Sequence, residues 1–193
     1  MTDLKIAIIL GTTRPGRNGE AVAQWVLEQA SARTAAEYEL IDLAEFPLPM
    51  LDEAIPPSAG QYTGEHTIAW AERIASFDGF VFVTPEYNHS IPAVLKNALD
   101  YVYGEWNNKA AAFVGYGSVG GARAVEHLRG IASELQIAHV RQTLGFSLFT
   151  DFQNFSTFAP GPQHKAAAAT MFDQLEAWAT AMKAVRTGAL VAA

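Results

Sequence analysis

The residues best suited to chemistry near the N-terminus form the loop GTTRPGRNGEA, residues 11–21. Its glycines let the backbone approach a ligand closely, and its two threonines offer hydroxyl groups. Arg14 and Arg17 supply positive charge, and a helix is predicted to begin near Asn18 with its free N–H groups facing the same space. These groups together favour a phosphate site. The structural alternative is a surface turn with Asn18 as the helix cap.

This loop matches neither of two common nucleotide motifs. No Gly-Lys-Ser/Thr sequence ends it, as a Walker A loop requires, and its glycines do not have the G-x-G-x-x-G spacing. ATP and GTP are therefore disfavoured, and a monophosphate ligand fits better.

A second cluster, TPEYNHS, follows an apolar run at residues 84–90. Pro85 stiffens the exit from the predicted strand, and Ser90 is predicted to cap a helix with Pro92 in its first turn. Such a segment presents its backbone amides and a tyrosine ring to the border of a flat, polar-edged ring system, although an ordinary capped loop is the alternative. The residues presented are Glu86, Tyr87, Asn88 and His89.

A third loop, GYGSVGGAR at residues 115–123, contains a formal G-x-G-x-x-G. A dinucleotide site is a weak interpretation, because the motif follows the fourth strand and no acidic residue closes a strand about 20 positions later. We instead predict that the loop exposes backbone N–H groups toward a ligand. The residues concerned are Gly117, Ser118, Gly120 and Gly121.

Composition limits the class of protein. The 193 residues are 50% hydrophobic and 17% charged, with a net charge of −7, which predicts one globular domain over 1–193 and argues against nucleic acid as a partner. The apolar stretches are of strand length, so we expect no membrane span. Cysteine is absent and the five histidines lack metal-ligand spacing, so no metal site is expected. Cytoplasm is the expected location.

The elements that must position these loops alternate along the chain. Helices are expected between and after the predicted strands, and the Pro-rich segment 45–62 is a predicted loop. This alternation predicts an α/β domain with a mostly parallel sheet, whose ligands bind at the carboxyl ends of the strands. The predicted strands are 4–10, 38–43, 79–84, 110–116 and 139–144, and the predicted helices are 19–33, 63–76, 91–103, 120–136 and one after Pro162.

Two apolar features have alternative interpretations. Trp106, at the end of the third helix, lines either the site or a subunit interface. An apolar stripe in the last helix is predicted to dock on the sheet, with contact to a partner subunit as the alternative. Its residues are Met171, Leu175, Trp178, Met182 and Val185.

Together the three loops resemble the NAD(P)H-dependent FMN reductase family, whose fold is flavodoxin-like. The resemblance covers about residues 4–141, and its most specific part is the string PEYN-S-P-x-x-L-K-N-x-x-D-Y. It implies a three-layer fold, with a five-stranded parallel sheet of order 2-1-3-4-5 and helices on both faces. It also implies a homodimer or homotetramer with the flavin near the subunit boundary.

The same resemblance implies a set of FMN-binding residues, with no catalytic side chain because the flavin N5 atom carries the hydride. Tyr87 and His89 are then interpreted as residues that line the site. The residues that match the family's phosphate-binding positions are Thr12, Arg14, Arg17, Asn18, Gly19 and Glu20. Those that match the positions beside the isoalloxazine ring are Pro85, Glu86, Tyr87, Asn88, Gly117, Ser118, Gly120 and Gly121.

The function that this resemblance implies is an oxidoreductase. Hydride would pass from NADPH or NADH to FMN, and two electrons would then pass to a small acceptor by a ping-pong mechanism. A quinone, free flavin, an azo compound or a metal oxyanion are all candidate acceptors. The alternative is a flavodoxin-type electron carrier without dinucleotide turnover, although the two arginines of the first loop disfavour it.

Overall fold

A computed structural model describes residues 4–189 and contains a five-stranded sheet. All four strand pairs are parallel and the order is β2-β1-β3-β4-β5, which confirms the predicted topology. The inner strands β3 and β4 are buried at every position, as expected of parallel strands covered on both faces. The strands are β1 (Lys5–Leu10), β2 (Glu37–Asp42), β3 (Gly79–Pro85), β4 (Ala110–Gly117) and β5 (Ala138–Ser147).

Helices cover both faces of this sheet. α1 and α5 pack on one face and α2, α3 and α4 on the other, so two apolar clusters lie on opposite sides of the strands. The chain leaves β1 toward β2 on one side and continues at β3 on the other, which opens a crevice at the carboxyl ends of β1 and β3. The helices are α1 (Gly19–Ser31), α2 (Glu65–Ala75), α3 (Ala93–Asp100), α4 (Ala122–Glu134) and α5 (Gln163–Arg186).

The structure contains a short hairpin that the sequence pattern did not predict. It pairs β6 (Phe152–Gln153) with β7 (Thr157–Phe158) in antiparallel fashion. Strands of two residues are too short to show an alternating pattern, so periodicity could not reveal them. The hairpin lies between β5 and α5, where it reaches the carboxyl end of the sheet through Phe155.

The predicted cap of α3 is wrong. The N-cap residue is Pro92, with no side-chain cap, and the helix begins at Ala93. Ser90 instead exchanges two backbone hydrogen bonds with Tyr87, at 3.0 and 3.1 Å. Its hydroxyl lies 2.9 Å from Nδ1 of His127. Ser90 therefore belongs to the turn that precedes α3, and its hydroxyl is paired with His127 and does not cap the helix.

The predicted stripe of α5 is only partly buried. Trp178 is 46% exposed and Val185 41% exposed, so these two residues do not dock on the sheet. The buried face instead includes Glu176, whose carboxylate accepts from Arg33 Nε at 2.6 Å and from the Tyr38 hydroxyl at 2.7 Å. The residues that do dock are Ala168, Met171, Phe172, Leu175 and Ala179.

Trp106 and the Pro-rich segment are both hydrogen-bonded to residues of α3. Trp106 is 1% exposed and donates from Nε1 to the Leu99 carbonyl at 3.2 Å, so in this chain it lines neither the site nor a free surface. The segment 45–62 is a loop with one 3₁₀ turn after Pro56, as predicted. Asn97 holds it, accepting from Leu51 N–H at 3.0 Å.

Candidate functional site

The three polar loops meet at one cavity of about 390 Å³ at the carboxyl end of the sheet. Its size is within the range of small-molecule sites. The residues that line it come from the loop after β1, the loop after β3, the end of β4 and the hairpin after β5. They are Arg14, Gly16, Arg17, Asn18, Pro85, Glu86, Tyr87, Tyr116, Gly117, Leu148, Phe155 and Ser156.

One end of the cavity is built for an anion. Arg14 is exposed there, and its guanidinium makes no hydrogen bond or ion pair within residues 4–189. Asn18 occupies the N-cap position of α1, but its side chain donates to the Phe155 carbonyl at 2.8 Å and caps nothing. The first-turn N–H groups of α1 therefore remain open to a ligand beside an unpaired positive charge.

Arg17 is used inside the protein. Its guanidinium pairs with Asp42 at the end of β2, donates from Nε to Glu20 at 3.0 Å and also bonds the Thr12 carbonyl. Its side chain is only 8% exposed. Burial lowers the pKa of Arg17, but its hydrogen bonds to Asp42 and Glu20 outweigh burial and leave that pKa raised. Arg17 and Glu20 thus brace the first loop.

A hydroxyl pair joins the first and second loops. Thr12 is 1% exposed, and its Oγ1 lies 3.0 Å from the Tyr87 hydroxyl. Tyr87 begins a tight two-residue turn whose central residues, Asn88 and His89, have φ of 49° and 70°. Left-handed backbone at non-glycine residues is uncommon and clusters at functional sites. The turn places the Tyr87 ring at the cavity and its two central residues at an exposed tip.

Glu86 joins the second and third loops. Its carboxylate is 5% exposed and accepts from the Arg123 N–H at 3.0 Å, the Arg123 guanidinium and the Ala124 N–H in the first turn of α4. Burial raises the pKa of Glu86, but these donors outweigh burial and lower that pKa overall. Nε2 of His89 lies 2.8 Å from Arg123 Nη1. Glu86 is thus the side-chain cap of α4 at the N-terminal dipole of that helix.

The third loop contains backbone N–H groups without an acceptor, although not every N–H group that was predicted to be free is free. The prediction for Gly120 is wrong, because its N–H donates to the Gly117 carbonyl at 3.1 Å. Ser118 and Val119 have N–H groups with no acceptor in the part of the chain that the structure describes. Gly120 and Gly121 have φ of 67° and 70°, a backbone that favours glycine there. Gly121 precedes the first residue of α4.

Four residues that line the cavity were not predicted from the sequence. Leu148, Phe155 and Ser156 come from the segment around the hairpin, which no periodic pattern marks. Tyr116 stands inside the third loop's own motif, but the sequence analysis predicted no role for it. The predicted residues that do not line the cavity are Thr12, Gly19, Glu20, Asn88, His89, Ser118, Gly120 and Gly121.

A larger cavity of about 570 Å³ lies on the other side of the third loop. Gly120 and Val119 form one wall, and Asp151 and His164, whose side chains are 2.8 Å apart, form another. Since neither the arginine-bearing loop nor the Tyr87 turn reaches it, we place the candidate site in the smaller cavity.

Comparison with known proteins assigns the family. A sequence profile described as NADPH-dependent FMN reductase matches residues 4–151. The chain belongs to the NADPH-dependent FMN reductase family. A member from Schizosaccharomyces pombe, named NAD(P)H-dependent FMN reductase, is 46% identical over 135 residues, which cover 69% of this chain and 68% of the relative.

Two further similarities agree with this family. A 2-hydroxy-1,4-benzoquinone reductase from a Burkholderia species is 33% identical, over 72% of this chain and 75% of the relative. The solved structure of FerB, a flavoenzyme NAD(P)H:(acceptor) oxidoreductase from Paracoccus denitrificans, superposes with a TM-score of 0.70 at 20% identity. It covers 93% of this chain and 98% of that chain, and at this identity it supports the fold.

Family membership confirms the predicted enzyme class and cofactors. As an FMN reductase family member the protein is an oxidoreductase, with FMN as cofactor and NAD(P)H as co-substrate. Within residues 4–189 no cluster of three or more His, Asp or Glu side chains is arranged to hold a metal ion. None of the helices in that range combines the length and apolar character needed to cross a bilayer.

Proposed function

We propose that this FMN reductase binds FMN in the 390 Å³ cavity and reduces small acceptors, quinones among them, at the expense of NAD(P)H by a ping-pong mechanism. The observation that carries the proposal is the unpaired Arg14 guanidinium beside the open N-terminus of α1, at the end of a cavity between three loops. Bound FMN would supply the two-electron redox chemistry, and the protein supplies binding and orientation.

The anionic end of the cavity would hold the FMN phosphate. Arg14 provides a charge-assisted donor, and the N–H groups of Gly19 and Glu20 at the start of α1 provide dipolar ones. Arg17 acts through the loop rather than on the ligand, because Asp42, Glu20 and the Thr12 carbonyl already occupy its guanidinium. Asn18 and Thr12 hold neighbouring chain segments in place through Phe155 and Tyr87.

The opposite part of the cavity would border the flavin ring. Pro85, Glu86 and Tyr87 form one side, with Asn88 and His89 at the tip of the same turn. Gly117, Ser118, Gly120 and Gly121 form the loop on the other side, where the Ser118 N–H is available to negative charge that develops on the ring. The Glu86–Arg123 pair holds these two sides at a constant distance.

The acceptor is expected to be a flat, small molecule. The lining of the cavity includes Phe155, which is 60% exposed, and the partly buried Leu148, so it offers apolar surface to a flat ring beside the charged side chains of Arg14 and Glu86. The relative that reduces 2-hydroxy-1,4-benzoquinone supports a quinone as the first acceptor to test. Free flavin, an azo dye and chromate represent the other acceptor classes.

The decisive experiment uses half-reactions. The purified protein, loaded with FMN, is mixed anaerobically with NADPH or NADH while flavin absorbance is followed, and 1,4-benzoquinone is added after the nicotinamide product has been removed. We expect bleaching by the dinucleotide and recovery with the quinone, with parallel lines in steady-state double-reciprocal plots. Absence of bleaching with either dinucleotide would favour the flavodoxin-type carrier instead.

A substitution tests the phosphate assignment. Arg14→Ala should weaken FMN binding by about 1.5–3 kcal/mol, the range for a hydrogen bond to a charged group, while the stability of the apoprotein stays unchanged because Arg14 has no partner to lose. Quenching of flavin fluorescence measures the affinity. Arg141→Ala is the matched control, since Arg141 is also exposed but lines neither cavity. Equal affinities in both variants would contradict the assignment.

A further inference from the structure

The hydroxyl of Tyr116 is the buried polar group of the cavity that lacks a partner. Tyr116 is 5% exposed, and its hydroxyl makes no hydrogen bond in the described part of the chain. Leaving such a group unsatisfied costs roughly 1–3 kcal/mol, and the large majority of buried polar side-chain atoms are paired. A phenylalanine would fill the same space without this cost. A tyrosine at this position therefore points to a ligand that forms a hydrogen bond with the hydroxyl.

The groups around this hydroxyl are of the kind that bind an anion, and not of the kind that border a flavin ring. It lies against Gly19, the first residue of α1, where an added Cβ would be 2.5 Å from the hydroxyl oxygen. The absence of a side chain at Gly19 thus lets the tyrosine hydroxyl lie directly against the start of α1. Burial raises the pKa of Tyr116, the nearby Tyr87 raises it further, and Arg17 and Arg14 pull it down. The hydroxyl therefore stays protonated at neutral pH and is a donor.

The chain also fixes where the hydroxyl points. Tyr116 is held at the end of β4 by its pairing with Pro85 on β3, and its carbonyl accepts from the Glu86 N–H at 3.2 Å. Its ring packs near Phe152, with centroids 6.4 Å apart, so a Phe substitution would keep this packing. The donor is therefore placed by a rigid strand, which is how precise binding sites are built.

We propose that the Tyr116 hydroxyl donates a hydrogen bond to the phosphate of bound FMN, as a binding residue in addition to Arg14 and the N-terminus of α1. The proposal rests on the proposed function, because it needs FMN in this cavity. It commits to the phosphate rather than the ribityl chain, since the neighbours of the hydroxyl are a helix N-terminus and two arginines.

The test compares Tyr116→Phe with Tyr38→Phe in the apoprotein. Tyr38 is the matched control because its hydroxyl does have a partner, the Glu176 carboxylate at 2.7 Å, and it lies outside the cavity. Affinities for FMN and for riboflavin, which lacks the phosphate, are measured by fluorescence quenching. Urea denaturation of each apoprotein measures stability and shows that the variants fold.

We expect Tyr116→Phe to raise the Kd for FMN roughly tenfold to hundredfold, to leave the Kd for riboflavin unchanged, and to keep or raise the denaturation midpoint of the apoprotein. Tyr38→Phe should lower that midpoint and leave both affinities unchanged. Equal weakening of FMN and riboflavin would overturn the phosphate contact in favour of the ribityl chain.

Two other outcomes also overturn the proposal. If the partner of the hydroxyl is a water molecule, FMN affinity stays unchanged in Tyr116→Phe while the unsubstituted protein still binds FMN, and the proposed function survives. If the unsubstituted protein takes up neither flavin, the proposed function fails together with this contact. The two failures are therefore distinguishable in one set of titrations.

Discussion

The two ends of the sheet differ in whether all of their polar side chains find partners within the protein. At the amino end, the Asp78 carboxylate accepts from the Lys5 N–H at 3.0 Å, from Lys183 Nζ at 3.2 Å and from the Arg186 guanidinium. Lys109, 4% exposed, donates to the Ile74 carbonyl at 2.7 Å, where α2 ends. These charges meet protein partners, which is what a structural role requires.

The carboxyl end leaves donors open. Arg14 has no counter-charge in the described residues, the Tyr116 hydroxyl has no partner and the first turn of α1 has no side-chain cap. Groups that the protein leaves without partners at one place, beside others that it satisfies fully, are what we expect at the end of the molecule that binds a ligand. The difference between the ends can be tested by substitutions that should change stability at one end and ligand affinity at the other.

The largest effect is expected at the amino end. Asp78→Ala should lower the free energy of unfolding by about 3 kcal/mol, because it leaves two partly buried cations and a strand N–H without this acceptor. FMN affinity should stay the same in whatever fraction remains folded. Asp100→Ala is the control, since its pair with Lys96 is exposed and should be worth about 0.5 kcal/mol or less. Equal losses in a urea titration would remove the contrast between the two carboxylates.

Lys109 provides a prediction that depends on pH. Burial, and then the charge of Arg186, lower its pKa to about 7, while lysine in the unfolded chain titrates near about 10.4. The folded state therefore binds fewer protons between these values. The contribution of Lys109 to the free energy of unfolding is therefore greatest above the unfolded pKa, and it decreases as the pH falls toward the folded pKa of about 7.

The matched variant is Lys109→Met, which removes the titration and keeps the apolar stem. Unfolding free energies of both proteins, measured from pH 7 to 10, should diverge by about 1.4 kcal/mol per pH unit, with the unsubstituted protein gaining as the pH rises. A constant difference over this range would mean that Lys109 stays charged in the fold.

A smaller effect is expected from the braced arginine of the first loop. Arg17→Ala should lower stability by about 2 kcal/mol, as it removes charge-assisted hydrogen bonds to Asp42 and Glu20, and should weaken FMN binding only through the loop. Arg14→Ala should leave the stability unchanged and weaken FMN binding directly. Thermal denaturation and flavin titration of both variants check this, and a stability loss for Arg14→Ala as large as that for Arg17→Ala would erase the distinction.

The positions of the three loops could be predicted because strand ends and glycines are local signals. Each loop follows an apolar run, and parallel strands bring their carboxyl ends to one edge, so the cavity followed from the order of elements. The adjacent residues Pro85, Glu86 and Tyr87 were predicted as site residues in this way, and they line the cavity.

The use of each side chain could not be predicted in the same way. Arg14 and Arg17 look equivalent in the sequence, but only one of them reaches Asp42, which lies 25 positions away from Arg17. Glu86 was predicted as a ligand contact, and the fold adds a role that the sequence did not reveal, because its carboxylate caps α4. No role was predicted for Tyr116, which lines the cavity.

For this protein, then, the order of apolar runs and turns determined the sheet and its crevice, because backbone hydrogen bonding and burial act through patterns that are readable along the chain. The family was indicated by the residues of the three loops. Which arginine is free, which hydroxyl is unpaired and which helix a glutamate caps were decided by the tertiary structure. Those choices depend on partners far apart in sequence, and a buried charge or hydroxyl is satisfied by whichever group the fold brings within hydrogen-bond distance.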